Sequence, residues 1–513
     1  IPGGSATITG QFTAEYATTL ARDLNTGAIP APIILVGQHT IGSTLGQDAL
    51  AKSVKAGAIG MLLVIIFMIA YYRLPGLIAS IALGIYTLLM IFLVKSELPV
   101  WLSLLIGTAI FLITLYKILN SEEGNGEKFL SFILSIIILF FVSSVLSNPI
   151  TLTLAGVAGI ILSIGMAVDA NILIFERTRE EVHTGHGMIS AIEKGFDRAW
   201  NSIRDSNFSS LITCAILFYF GSSLIRGFAI NLAIGIVVSM FTAITVTRTL
   251  LRAVVKTKLA EKENLFVPEK KAEKKVYQIV EKTNLWMGIS GTLISISLLA
   301  LIFFGLKLGM DFTGGTFTEI EFKNKVAIED FKKELGTIED NLKGETAKSD
   351  SAGAAIGAPA QEPLDLKGAQ VVASDEGSYQ IKSKFISTVI HDKIIVQLKD
   401  KFGDLQEKRF ETIGPTIGDA MKSKALLALA FALLMILIYL AFAFRKIPKR
   451  VNPWRFGACA IIALFHDLFI TFGFFLILGK FANVEIDALF ITALLTILGF
   501  SVHDTIVVFD RVR

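Results

Sequence analysis

Charged residues are scarce in this chain of 513 residues: Asp, Glu, Lys and Arg make up 18% of it, against roughly 25% in soluble proteins. Hydrophobic residues make up 53%, and the mean hydropathy is +0.64. A soluble protein of this size has no core large enough to keep so much apolar surface from water. The composition excludes a water-soluble globular protein and indicates a polytopic membrane protein.

Cysteine and proline are also scarce. The two cysteines, Cys214 and Cys459, lie in apolar runs without His or Cys at metal-ligand spacing, so we expect both to be buried apolar side chains. Twelve prolines beside 38 phenylalanines fit long helices rather than disorder. Because neither cysteine has a partner at ligand spacing, we expect no metal site, and we expect no cofactor.

No basic surface or catalytic motif stands out. Lys and Arg exceed Asp and Glu by 48 − 44 = 4, and no basic stripe with interleaved aromatics indicates nucleic acid as a partner. HExxH, the GxxxxGK[ST] loop and nucleophile motifs are absent from the sequence. We expect neither an ATPase nor another enzyme.

Eleven apolar runs are each close to the length of about 20 residues that a bilayer-spanning helix needs. The run at 207–223 is short and polar at its start, and is the weakest of them. The runs are 53–72, 76–95, 99–119, 128–147, 151–174, 207–223, 226–250, 285–306, 424–443, 456–479 and 486–508.

The basic residues of the short connections predict the orientation. Arg73 and the segments 176–206, 252–284 and 445–450 fall on one side when the eleven spans are threaded, which makes that side cytoplasmic. Arg226, on the opposite side, is an exception to this rule.

The same threading places two hydrophilic regions, 1–50 and 307–422, outside the cytoplasm. Their patterns predict strands and helices in the β-α-β order of a small α+β sandwich of ferredoxin-like type, with a flexible loop at 349–370. The predicted helices are Phe12–Asn25, Ala327–Leu335 and Ser387–Phe402, and the predicted strands are Pro32–Gly37, Thr316–Lys323, Tyr379–Lys384 and Arg409–Ile413.

Two passages repeat within the chain. Residues Thr40–Gly46 match Thr412–Gly418, and Gly165–Arg179 match Gly499–Arg513 with Gly, Val, Ile, Phe, an acid and two Arg in register. The chain therefore reads as an extracytoplasmic domain followed by a helix bundle, twice. The two halves run in the same orientation, which predicts a parallel repeat about an axis along the membrane normal.

One acid in each repeat lies deep in an apolar helix. Asp169 and Asp504 are roughly 9–11 Å inside the charged end of their helices at 1.5 Å per residue. An Asp at mid-membrane costs about 2.5–3.5 kcal/mol, and a carboxyl group there can take up and release a proton near neutral pH. We expect both to serve in ion coupling, although two purely structural hydrogen-bonding carboxylates are the alternative.

Polar neighbours accompany these acids. Asp169 aligns with His503, whereas Asp504 is one position later, an offset of about 100° of helix. His503 and Asp504 are candidates to share a proton, and Asn171 and Thr505 are paired polar positions. We expect two equivalent helices but not two equivalent acids.

A second His-Asp pair and two stripes of small residues complete the candidates. His466 and Asp467 either stabilise the bundle or extend a proton relay. The stripe Thr492, Thr496, Gly499 and His503 fits a wetted path and close helix packing equally well. Close packing is the favoured interpretation of the stripe Ala155, Gly159, Ser163 and Ala167.

These motifs resemble a known family. Residues Gly309–Thr316 (Gly-Met-Asp-Phe-Thr-Gly-Gly-Thr) are similar to the signature that opens the extracytoplasmic domain of bacterial SecF protein-export proteins. Val168–Arg177 resembles the matching SecD helix motif, and Val502–Arg511 the SecF one. In the first of these, the signature residues are Asp311, Phe312, Gly314 and Gly315.

The resemblance implies a natural fusion of SecD and SecF, within the RND superfamily. It implies work beside the SecYEG channel in the bacterial inner membrane, among lipid, pulling or holding an unfolded translocating polypeptide with the proton or sodium gradient. It also implies that Asp169 and Asp504 are the coupling sites. The implied parts are a SecD-type outer remnant 1–50, a SecD-type bundle 51–255, a linker 256–284, a first SecF-type span 285–306, a SecF-type outer domain 307–422 and SecF-type spans 423–513.

Three departures from the family accompany the likeness. His503 stands where Asn is usual, and a hairpin, 99–147, is added to the SecD-type bundle. The chain reads as truncated at both ends, without the last two SecF spans. An RND-type exporter of small molecules or lipids is the alternative function, and an intramembrane aspartyl protease is disfavoured because Gly-x-Gly-Asp is not found before Asp504.

Overall fold

The computed structural model of the chain contains two compact units. A sheet unit comprises the described parts of Ile1–Thr40 and Gly315–Gly414, and a helical unit comprises those of Ile41–Gly314 and Pro415–Arg513. The structure describes residues 37–41, 43–96, 99–119, 152–257, 262–266, 280–323, 326–349, 364–373, 378–444 and 453–512.

Helices dominate the described residues, and α6 contains a π-helical turn at Thr242–Thr247. The elements are β1 (Gly37–Ile41), α1 (Ser43–Tyr72), α2 (Leu74–Lys95), α3 (Val100–Leu119), α4 (Leu154–His183), α5 (Met188–Phe220), α6 (Ser223–Val255), α7 (Thr283–Phe304), β2 (Gly315–Phe322), α8 (Ile328–Ser349), β3 (Gln370–Ala373), β4 (Ser378–Ser383), α9 (Thr388–Phe402), β5 (Leu405–Ile413), α10 (Pro415–Ala443), α11 (Pro453–Phe481) and α12 (Ala488–Val512).

Eight helices in the described part of the chain are long and apolar enough to cross a membrane: α1, α2, α4, α6, α7, α10, α11 and α12. Large apolar side chains lie exposed along them, such as Leu63 of α1 at 61% and Phe303 of α7 at 75%. Water disfavours such surfaces, whereas lipid accepts them. The chain is a multi-pass membrane protein.

The predicted count of eleven spans stays a prediction. The run 99–119 forms α3, an apolar helix of 20 residues that is not among the eight. The run 207–223 is the second half of α5, a helix that carries buried polar residues such as Asp205 and Asn207. The run 128–147 lies outside the described residues.

One expectation about cysteine is wrong. Cys214 is buried in α5, but Cys459 is exposed on α11, near the exposed Ile462. An apolar sequence environment predicts burial only in a soluble protein, because a membrane helix can turn its apolar residues to lipid.

Two apolar cores hold the helical unit together. One joins buried side chains of α5 and α6 to those of α10, α11 and α12, and the other lies among α1, α2, α4, α5 and α6. The stripe of small residues on α4 packs closely as predicted: a Cβ at Gly159 would lie 2.8 Å from the Phe228 carbonyl oxygen. Ser163 in the same stripe bonds the Tyr86 hydroxyl over 2.6 Å.

The sheet unit has five strands in the order β1-β5-β2-β4-β3, with β2 antiparallel to both β4 and β5. Helices α8 and α9 contribute fully buried side chains to its core, including Phe331 and Leu398. From β2 to β5 the element order is β-α-β-β-α-β. The strand β1 leads to α1 as β5 leads to α10, so the repeat seen in the sequence places its two equivalent strands side by side.

Of the predicted elements in the described part of this unit, the strands Thr316–Lys323 and Tyr379–Lys384 and the helix Ser387–Phe402 match β2, β4 and α9 closely. The predicted helix Ala327–Leu335 and strand Arg409–Ile413 are only parts of the longer α8 and β5. Strand β3 was not predicted, since four residues without clear alternation give little signal. The predicted helix Phe12–Asn25 lies outside the described residues, and so does the predicted strand Pro32–Gly37 except for Gly37, the first residue of β1. The loop 349–370 also lies largely outside them.

Candidate functional site

His503 of α12 and Asp169 of α4 meet inside the helical unit. The His503 Nε2 atom lies 2.6 Å from Asp169 Oδ2. Neither nitrogen of the His503 ring makes a hydrogen bond of regular geometry to the described residues. The contact is therefore a close approach of an imidazole and a carboxylate. The His503 side chain is 7% exposed and that of Asp169 is 42% exposed. One partner is therefore buried and the other is accessible.

Asp504 follows His503 on α12 but lies on an exposed face of the helix. The charges of Asp169 and Asp467 both act on it. Carboxylates from α4, α11 and α12 thus share one electrostatic neighbourhood around His503. The predicted acids are brought together, and they are not equivalent.

The His466–Asp467 pair of α11 is tied to the same region of α12. His466 Nδ1 lies 2.9 Å from Asp467 Oδ1, and the Ser501 hydroxyl donates to Asp467 Oδ2 over 2.5 Å. Ser501 was not predicted from the sequence. The signal in the sequence is helical spacing, since Ser501 lies one turn before Thr505. In the structure the Thr505 hydroxyl donates to the Ser501 carbonyl oxygen over 2.8 Å.

Asn171 and Thr505 bond mainly to their own helices. The Asn171 amide donates to the Ala167 carbonyl oxygen over 3.3 Å, and its Oδ1 atom is buried without a hydrogen-bond partner among the described residues. An unpaired buried oxygen is costly, so a proton donor or cation near Asn171 would stabilise it. A role for these two residues in ion coupling stays a prediction.

Helix α5 presents a buried polar face to the bundle. Its buried polar side chains include Asp205, Ser210 and Thr213, and a Cβ at Gly499 of α12 would lie 3.4 Å from Thr213 Oγ1. Thr492, on the same stripe of α12, donates to its own helix at Ala488 over 3.0 Å. These contacts support close packing for the polar stripe of α12.

The charged ends of the two repeated motifs pair with each other. Asp510 of α12 accepts from the Ser202 hydroxyl over 2.7 Å and lies 3.5 Å from the Arg177 guanidinium of α4. Arg511 bonds Glu180 of α4. The sequence identified Arg177 and Asp510 as the edge of the apolar helices but gave no sign of this cross-repeat pairing, or of Ser202.

A separate ion-pair cluster joins α5 to α6. Glu193 accepts from Arg252 over 2.6 Å and from Arg248 over 2.5 Å, and Arg248 lies over the Phe196 ring at 5.2 Å. The Arg252 hydrogen bond, opposed by partial burial and aided by Arg248, lowers the pKa of Glu193 to about 2. Asp197 lies 3.4 Å from Arg248 as well, so two carboxylates match the charges of the two arginines, as in a structural cluster.

The glycine signature, which precedes β2 in the chain, packs against the start of α12. Asp311 accepts a hydrogen bond from the Ala488 backbone N–H over 2.8 Å, which satisfies one of the free donors at the helix start. Phe312 is 4% exposed, and Gly314 adopts a φ of 72° that only glycine takes without strain. A Cβ at Gly418 of α10 would lie 2.8 Å from the Phe312 carbonyl oxygen. The signature residues therefore fix a tight turn against α10 and α12.

Within the described residues, no group of three or more His, Cys, Asp or Glu is placed to hold a metal ion. What the arrangement offers is a histidine between acids from different helices. Such a cluster can bind and release protons, because each group alters the charge that its neighbours experience.

Three family models match parts of the chain. Residues 393–513 match the protein export membrane protein SecD/SecF, C-terminal family, and residues 299–326 match the SecD/SecF GG motif. Residues 129–301 match the MMPL family. The segment matched by the GG motif, residues 299–326, contains the Asp311–Gly315 turn.

Named relatives extend the similarity over the chain. The protein translocase subunit SecDF of Bacillus subtilis is 30% identical over 525 aligned residues, which cover 99% of this chain and 59% of that protein. The subunit SecD of a Synechocystis species is 43% identical over 270 residues, covering 52% of this chain and 46% of that one. The chain thus spans about half the length of these relatives.

A solved structure has the same fold. The crystal structure of SecDF from Thermus thermophilus, described as a translocon-associated membrane protein, is 26% identical with a TM-score of 0.68, covering 100% of this chain and 58% of that one. The chain therefore contains SecD/SecF family segments and is similar to SecDF proteins along its whole length.

Proposed function

We propose that this chain is an accessory part of the Sec protein translocase, which uses an ion gradient across the bacterial inner membrane to drive or complete polypeptide export. The contact of Asp169 in one repeat with His503 in the other carries the proposal. The names of its relatives, protein translocase subunits, support the setting of a Sec translocase. The resemblance of its motifs extends the proposal to a place beside a SecYEG channel and an unfolded client. The chain acts as a non-enzymatic subunit.

The acid cluster would load and unload the coupling ion. A carboxylate in apolar surroundings is costly, and several together resist being ionised at once. A proton or a sodium ion taken up there relieves both costs. One charge crossing the membrane gains about 2.3 kcal/mol per 100 mV, so several ions per cycle supply a useful driving force.

Coupling requires that the loaded and unloaded states differ in helix arrangement. Helix α12 carries His503 and Asp504 and begins at the cap formed by Asp311, which precedes the first residue of β2, Gly315, by four residues. The β-α-β-β-α-β order supports a ferredoxin-like sheet unit, which would act on the client outside the cytoplasm. Ion exchange at the acids would thereby reach the chain that leads into the sheet unit.

The test uses the full chain with SecYEG in proteoliposomes and a fluorescent exported precursor. An imposed proton or sodium gradient is expected to increase precursor release, and Asp169→Asn is expected to remove that increase. Release that ignores both gradients contradicts the proposal. Gradient-dependent efflux of a small molecule or lipid without SecYEG would favour the exporter function that the MMPL match allows.

A further inference from the structure

An apolar cavity of about 220 Å³ lies in the helical unit, away from the acid cluster. It is enclosed by the end of α5, the start of α6, the turn that carries Phe312, and the first turns of α10 and α12. Its inner wall includes the buried side chains of Leu217, Phe312, Ala428 and Leu495. An engineered cavity of about 150 Å³ with such walls binds benzene, so this one has room for several methylene groups.

The mouth of the cavity borders the surface that faces lipid. Lys424 lines the cavity and is exposed. Leu427 and Phe431 follow it at helical spacing on α10 and are 50% and 46% exposed. The Phe431 ring packs 5.6 Å from that of Phe220, which also lines the cavity. A lipid molecule beside α10 would therefore have direct access.

One cation lines this cavity, and a second is hydrogen-bonded to one of its lining residues. Lys424 has no ion pair or hydrogen bond to the described residues, and Arg226 is exposed with its Nε donating over 3.1 Å to the carbonyl oxygen of Gly221, a lining residue. Arg226 is also the exception to the placement of basic residues that the sequence predicts for the short connections. An anion bound there would account for a positive charge on the side opposite the basic connections.

We propose that the cavity holds part of an acyl chain of an anionic phospholipid, with the lipid phosphate bound by Lys424 and Arg226. The apolar walls remove the chain from neighbouring lipids, and each cation near an anionic headgroup contributes about 1 kcal/mol. The two side chains together neutralise the charge of the phosphate. This site has no part in ion exchange at Asp169.

A segment of exported polypeptide fits the cavity less well. Every backbone N–H and C=O in an apolar site needs a partner, and the lining offers few polar side chains: Ser222, Lys424 and Thr492. The Thr492 hydroxyl already donates to Ala488. An acyl chain carries no such groups and leaves none unsatisfied.

The binding test uses the full chain, purified in detergent, stripped of lipid and titrated with palmitoyl-oleoyl-phosphatidylglycerol under native mass spectrometry. Phosphatidylcholine with the same chains is the neutral probe. Lys424→Gln and Arg226→Gln are each expected to weaken phosphatidylglycerol binding by about fivefold, and together by about twentyfold or more. Lys422→Gln is the matched control, since Lys422 pairs with Asp419 at 2.9 Å on the same helix and is not among the residues that line this cavity.

The chain-binding half is tested separately by filling the cavity. Ala428→Phe is expected to reduce binding of both probes, and Ala425→Met, a smaller change at a partly buried lining position, keeps the test valid if the first variant fails to fold. Equal binding of both lipids, or unchanged binding in the filled variants, overturns the proposal. Displacement of phosphatidylglycerol by an apolar peptide would assign the cavity to a polypeptide and overturn it as well.

Discussion

Helices α4 and α12 carry the same motif in the two repeats, yet their acids have different surroundings. Asp169 of α4 touches a buried histidine, whereas Asp504 of α12 lies on an exposed face and is reached by charges from two other helices. A duplicated sequence has therefore not produced two copies of one site. It has produced a single cluster to which each half contributes different groups.

The residues that touch are the ones that align. Asp169 and His503 occupy the same position of the repeat, and a residue near a two-fold axis contacts its own equivalent. The strands β1 and β5, also repeat-equivalent, neighbour each other in the sheet in the same way. Symmetry brings the positions together, and the substitution of His for Asp makes their contact attractive.

The largest expected effect is that of Asp169→Asn. The change leaves an amide beside His503 that cannot bind a proton in the same way, and we expect gradient-stimulated export to fall by about tenfold or more. Export measured in proteoliposomes, beside size-exclusion and thermal unfolding profiles, checks it. Full stimulation in a folded variant would mean that the α4 acid is only structural.

Asp504→Asn is the matched change on α12. We expect an equal loss of gradient-stimulated export, but a smaller change in thermal stability than Asp169→Asn gives, because it is Asp169 that contacts the buried His503 side chain. Melting temperatures of the two variants, measured side by side, separate the two roles. Retained gradient-stimulated export in Asp504→Asn would show that, of these two acids, only Asp169 of α4 is needed for coupling.

His503→Asn should be milder. Asparagine is the residue expected at this position in the family, and it keeps a polar group near Asp169, so we expect export within about threefold of the wild type. The pH dependence of export is the sharper readout. A loss as large as that of Asp169→Asn would show that His503 itself carries the proton.

Ser501→Ala tests whether Asp467 belongs to the cluster. The change removes the hydroxyl that donates to Asp467 Oδ2, and a hydrogen bond to a charged group is worth about 1.5–3 kcal/mol. We expect most of this free energy to appear as lost stability and export to fall only roughly two- to threefold, because the hydroxyl orients Asp467 and does not itself carry the ion. Thr496→Ala, on the same helix with its hydroxyl bonded within the helix, is the control and should show no change.

Glu193→Gln should affect export least, since its charge stabilises the structure. It removes the carboxylate held by Arg248 and Arg252, and we expect a loss of about 1–2 kcal/mol in unfolding free energy at neutral pH. Because the pKa of Glu193 is lowered from 4.5 to about 2, that stability is present above about pH 4.5 and lost as the pH falls towards 2.

Thermal unfolding against pH is the measurement for Glu193→Gln. The gap in melting temperature between wild type and variant should close under acidic conditions. A gap that persists at low pH, or a loss of gradient-stimulated export at neutral pH, would contradict the structural role.

The sequence predicts the parts of this site that depend on chemistry in one helix. Asp169 and Asp504 stand out because charge in an apolar run is expensive, and the repeat makes their relation visible. Contacts between helices far apart in the chain left no such trace: Ser202 reaches Asp510 across 308 positions. The cap formed by Asp311 on α12 was equally invisible, since the signature marks which residues matter but not what they touch.

The sheet unit was predictable where alternation or helical periodicity runs over several residues, as in β2 and α9. It was not where an element has four residues, as in β3. Exposure in the helical unit was the hardest property, because lipid and protein interiors are both apolar. Cys459 shows that limit.

Helix α12 is held at both of its ends, by the Asp311 cap at Ala488 and by the pairing of Asp510 and Arg511 with α4 and α5. Its 25 residues form a rod of about 37 Å. Such a rod turns about its long axis more readily than it tilts. Because consecutive helix residues are about 100° apart, a turn of α12 by that angle would place Asp504 instead of His503 opposite Asp169, provided that its end contacts release.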